Sequence, residues 1–155
     1  MVQIVFDLDE LMERVVEMLQ YTAGKRATSA DDYHRLSACE ADRPMLIRFV
    51  SESLWWLASK VPGIWGGSSV EKDRVSIQFN VGEAVEAKLN RSGEFRCLVG
   101  DTLVYRILYL WLRLAGGDNL TDRGVLAEEM ASVISSVVRL RSPLKTRRSF
   151  PYGNF

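Results

Sequence analysis

The sequence predicts an α+β fold that is mainly α: a helical bundle of four to five helices, a small antiparallel sheet or hairpin, and an extended C-terminal arm. Three observations carry this. Apolar residues recur at helical spacing over most of the chain. Two short runs, VQIVF at the start and RVSIQFNV in the middle, instead alternate apolar and polar residues, as half-buried strands do. Residues 139–155, RLRSPLKTRRSFPYGNF, follow neither period. The expected organisation is one domain over residues 1–142 and a docking arm over 143–155. A chain of 155 residues buries roughly 70% of its unfolded surface and needs no metal or disulfide to fold.

In order, Val2, Ile4 and Phe6 give the first strand one apolar side. Asp7 then caps a helix, with Glu10 three residues on, in the manner of a capping box. Leu8, Leu11, Val15, Met18, Leu19 and Thr22 carry that helix to about Ala23, where Gly24 is expected to stop it. Residues 25–29 read as a loop. A more polar helix is expected over 30–41, with Tyr33, Leu36 and Cys39 inward. Pro44 either kinks it or opens a third helix capped near Asp42. The third helix carries Leu46, Ile47, Val50, Leu54, Leu57, Ala58 and Val61 and stops at Pro62-Gly63.

Residues 63–69, GIWGGSS, read as a flexible loop holding Trp65, either as an interface anchor or as a cap on the core. Val75, Ile77, Phe79 and Val81 form the strongest strand signal, and the natural partner is the N-terminal strand, since short strands need each other. Residues 82–90 fit a return strand or a short helix. Residues 92–115 predict a long helix with two apolar stripes, one through Phe95, Val99, Leu103, Ile107, Leu110 and Leu114, the other through Tyr105, Tyr109 and Leu112. A helix apolar on that many sides is either central or shared with a second subunit. A last helix is expected over 121–140, with Val125, Leu126, Val133, Ile134, Val137 and Val138 inward.

Net charge is zero, but it is unevenly spread. Residues 1–24 carry Asp7, Asp9, Glu10, Glu13 and Glu17 against Arg14; residues 130–155 carry Arg139, Arg141, Lys145, Arg147 and Arg148 with no acid after them. Opposite ends of this kind suit a head-to-tail contact between subunits, or are two solvated faces. Cys39 and Cys97 fit no ligand spacing and read as reduced, partly buried thiols. The acidic start leaves no basic region for a secretion signal. The run LVYRILYLWLRLA is too short to cross a bilayer and contains Arg106 and Arg113. No membrane contact, cofactor or small-molecule substrate is expected.

Three chemistries are weighed. IVFDLDE, a strand followed by Asp-x-Asp, resembles the first motif of haloacid-dehalogenase-type phosphotransferases, which implies Asp7 as nucleophile and Asp9 as acid/base. That family continues with Gly-Thr; here Glu10 and Leu11 follow, and a helix cap accounts for the acids. Asp31, Asp32 and His34, with Glu40 and Asp42, put carboxylates beside the only histidine, but at no known ligand spacing. The basic tail with its aromatics could meet phosphates and stack on bases, so incidental DNA contact is a third reading. No catalytic, cofactor-binding or metal-ligating residue is assigned.

The tail is the better clue. Ordering a residue costs about 1–2 kcal/mol, and a buried aromatic returns roughly 1.5–3 kcal/mol. With Leu144 and three aromatics over 143–155, the segment needs a partner's contacts to take up structure. The partner-binding residues expected are therefore Arg139, Arg141, Lys145, Arg147, Arg148, Phe150, Tyr152 and Phe155, with Trp65.

The segments IVFDLDELMERVVEMLQYTAGK, DDYHRLSACEADRPMLIRF and LVYRILYLWLRLAG, with the basic tail, resemble small, mostly helical structural proteins of phages and prophages of Bacteroides-like gut bacteria, of the head–tail connector or neck adaptor type. The resemblance implies a non-enzymatic, homo-oligomeric ring subunit of the virion, assembled in the host cytoplasm, bridging portal and tail proteins through an arm and a loop. It carries no site motif, so no residue role transfers. The rivals are a small Asp-nucleophile phosphatase using Asp7 and Asp9, and a nucleic-acid-binding regulator using the tail.

Overall fold

The N-terminal strand β1 (Val2–Asp7) pairs antiparallel with β3 (Arg74–Phe79), in the register Ile4 opposite Ile77. Alternation puts Val2, Ile4 and Phe6 on the same face as Val75, Ile77 and Phe79, and that face is buried. A further strand, β2 (Trp65–Val70), forms a hairpin with β3, giving the order β1-β3-β2. The computed structural model describes residues 1–91, 93–115 and 121–139.

Helices cover the buried face. The four long ones are α1 (Leu8–Arg26), α3 (Arg43–Lys60), α5 (Glu94–Leu114) and α6 (Thr121–Val138); α2 (Ala30–Leu36) and α4 (Glu83–Asn90) are short, and a 3-10 turn spans Glu40–Asp42. The protein is thus α+β and mainly helical, with a small antiparallel sheet. α5 is the hub, packing on α1, α3 and α6 and, through Phe95 edge-on to Phe79, on the sheet. At Gly100 a side chain would meet the Phe6 ring at 3.0 Å, so glycine lets helix and strand close together.

Several expectations need correction. Residues 63–69 are no loop: β2 begins at Trp65, with a bulge between Trp65 and Gly67. Gly67 has φ +125, and a side chain at Gly66 would meet the Gln78 carbonyl at 3.1 Å, so the glycines permit the strand rather than break it. α1 runs through Gly24 to Arg26, closed by Ala27 N–H donating to the Ala23 carbonyl at 2.8 Å. The polar helix ends at Leu36, whose freed carbonyl accepts from Trp111 Nε1 at 2.9 Å. Pro44 lies in the first turn of α3, and residues 82–90 resolve to helix α4. Both cysteines are exposed, not partly buried.

The two apolar helices are covered to different extents. On α5, Leu103, Val104, Ile107, Leu108 and Leu112 are all fully buried within one chain, which makes α5 central, while Leu114 at its end is 62% exposed. On α6, Ile134 and Val138 face inward as expected and Val137 is half-buried, but Val125, Leu126 and Val133 point outward, and Gly124, Ala127 and Ala131 complete the buried stripe.

Candidate interaction surface

Of the expected contact residues, two lie within the described chain. Arg139 donates from Nη2 to the Pro62 carbonyl at 2.9 Å and from Nε to Ser135 Oγ at 3.3 Å, which ties the end of α6 to the turn after α3. Trp65 is half-buried, edge-on to Phe79 with centroids 5.6 Å apart. Arg141, Lys145, Arg147, Arg148, Phe150, Tyr152 and Phe155 lie outside the described residues, as does the whole arm.

Asp7, Asp9 and Asp32 have structural employment. Asp7 Oδ1 accepts from the Glu10 N–H at 3.0 Å, which is the cap read from the sequence, and Asp9 pairs with Arg43. Asp32 accepts from Arg35 and from Thr28, and these bonds, Arg35's first, hold its carboxyl below the usual range. His34 is exposed against the Tyr33 ring. Among the described residues no three His, Cys, Asp or Glu side chains converge on a metal position, and no helix is long and apolar enough to cross a membrane.

The most elaborate side-chain cluster sits where α3, α5 and α6 meet. The Arg106 guanidinium lies over Trp56 at 4.7 Å and over Tyr109 at 5.1 Å. Its Nε is buried without a hydrogen-bond partner among the described residues, and burial pulls the group below the ordinary arginine pKa. Glu128 accepts from Lys60 Nζ at 2.6 Å and from Trp56 Nε1 at 3.2 Å; the Lys60 bond is the main reason its carboxyl is held below the usual value. Beside this seam, Arg106, Tyr109, Val125, Glu128 and Ser132 border a cleft of about 420 Å³. The seam ties Trp56 of α3 to Arg106 of α5 and Glu128 of α6.

One residue away, Trp55 is 80% exposed. It stands on the outer face of α3, near the Arg48–Glu52 ion pair. The sequence carries a signal for this: Trp55 falls off the stripe Leu46, Val50, Leu54, Leu57, Val61, so the periodicity that buries those residues turns Trp55 outward. On α6, Val125 and Val133 are exposed by 54% and 49%.

No family model matches this chain, and neither the curated proteins nor the solved structures compared with it give a match.

Proposed function

We propose that this chain is a non-catalytic assembly subunit: a homo-oligomeric ring subunit of a phage virion, the head–tail connector that bridges portal and tail. The observation that carries the assembly reading is Trp55, 80% exposed on a helix that its neighbour Trp56 ties to α6. Trp is among the residue types enriched at the energetic centres of protein interfaces. Exposed Val125 and Val133 on α6 add apolar surface of the same kind. The finer assignment, connector rather than another assembly component, rests on the sequence resemblance, and the 143–155 arm is its expected bridging element.

Mass photometry of the pure protein, alone and with portal, tests this. Rings or portal-bound species are expected. Trp55→Ala should weaken self-association at least about tenfold, as loss of a hot spot does, while leaving the monomer's melting temperature unchanged. A strict monomer that ignores portal would sink the proposal.

A further inference from the structure

We propose that a cleft between α1 and α3 receives the basic–aromatic segment 140–155 of a second copy of this chain. This rests on the assembly reading and names the contact that would close it. The cleft measures about 450 Å³. Its floor is apolar: Met12 and Leu46 are buried, and Val16 is half-buried beside them. Among the described residues its rim is acidic, with Asp9, Glu13 and Glu40 against Arg43. Arg43 is taken by Asp9. The carboxylates of Glu13 and Glu40, and of Glu17 one turn along α1, have no ion pair among the described residues.

The segment is the chemical complement of that cleft. It carries Arg141, Lys145, Arg147 and Arg148 and no acidic side chain, interleaved with Leu144, Phe150, Tyr152 and Phe155. Cations meet the rim while apolar side chains meet the floor, and like-signed alternatives are rejected. The attraction acts over about a Debye length, roughly 8 Å at physiological salt, so it is short-ranged and salt-sensitive.

A second copy fits better than the same chain. The segment departs from Arg139, which is held at Pro62 beyond the C-terminal end of α3, whereas the cleft lies at the N-terminal end. The 18 residues of α3 span about 27 Å at about 1.5 Å each. Crossing that distance takes about eight extended residues. In its own chain those would be residues 140–147, which hold Arg141, Lys145 and Arg147. Only Arg148 would remain for the acids. A neighbour's segment delivers the whole basic run.

Cys39, exposed on the cleft wall, provides the test. Two full-length chains of different tag size are mixed, both with Cys97→Ser. One keeps Cys39; the other has Cys39→Ser and Tyr152→Cys. Mild oxidation should give a disulfide between the two chains. Its yield should fall at least about tenfold with Glu13→Lys/Glu17→Lys, exposed positions whose melting temperature is checked alongside, and likewise in ~1 M salt. A third chain with Cys39 and Tyr152→Cys together reports own-chain docking. A link that forms only within that chain, no link at all, or one indifferent to charge reversal overturns the proposal. Mass photometry of the same samples separates the two ideas: rings without the cross-link sink the docking site and spare the assembly reading.

Discussion

α5 and α6 are of similar length and both are rich in apolar residues, yet they are used in opposite ways. α5 buries large side chains on several faces, with Leu103, Ile107 and Leu108 at 0% exposure. α6 buries a narrow stripe of small residues and Ile134 and Val138, and leaves Val125, Leu126 and Val133 in water. The difference is one of approach distance. A hub helix surrounded by α1, α3, α6 and the sheet can cover long side chains on most sides. A peripheral helix touches neighbours on one side only, and it comes closest where its residues are smallest. At Gly124 a side chain would lie 2.8 Å from the Tyr109 ring. Hydropathy says how much apolar surface a helix has; neighbours decide how much of it is covered.

The sharpest break in that comparison is Leu103→Ala, expected to cost about 2–5 kcal/mol in denaturant unfolding, because the hub has no room to relax into the cavity. A smaller loss for Leu103→Ala than for any α6 truncation would reverse the ranking. Next comes the close approach itself. Gly124→Ala should destabilise by about 1–3 kcal/mol by pushing on Tyr109, although alanine is the better helix former. Gly24→Ala is the matched control: it sits in α1 with no described residue within 4 Å of the added carbon, and should stabilise by about 0.5–1 kcal/mol. Equal effects at the two glycines would show that α6 is free to shift.

The smallest effect concerns the polar tie between α6 and α3. Glu128 is held below the ordinary carboxyl value of 4.5, chiefly by Lys60. A carboxyl lowered in the folded state contributes stability above that ordinary value and loses it as pH falls through the lowered one. Glu128→Gln should therefore lower the melting temperature slightly at about pH 7 and not at about pH 3, with the surface pair worth about 0–1 kcal/mol. A difference that persists in acid would assign the effect to packing of Glu128 rather than its charge.

Much of this was legible beforehand. Asp7 as a cap, the β1–β3 pairing and the central stripe of α3 follow from local chemistry and period. β2 was not legible, because WGGSSV has little strand propensity; pairing with β3 overrides it. Gly24 as a helix stop failed because nothing after it competes with one more turn. The candidate surface was half legible: the acidic start and basic end are plain in the chain, but the cleft joins α1, the 3-10 turn and α3, segments separated by some thirty residues of sequence.

Fold class, the periods of the helices and strands, and the separation of acid from base were all written into the chain, since each is a property of neighbours along it. Tertiary structure alone decided that α5 would be the covered hub, that α6 would show its valines to water, and that Trp55 would stand exposed beside a Trp56 tied to α5 and α6. Those outcomes depend on which elements meet and how closely, and a single chain direction carries no such distances.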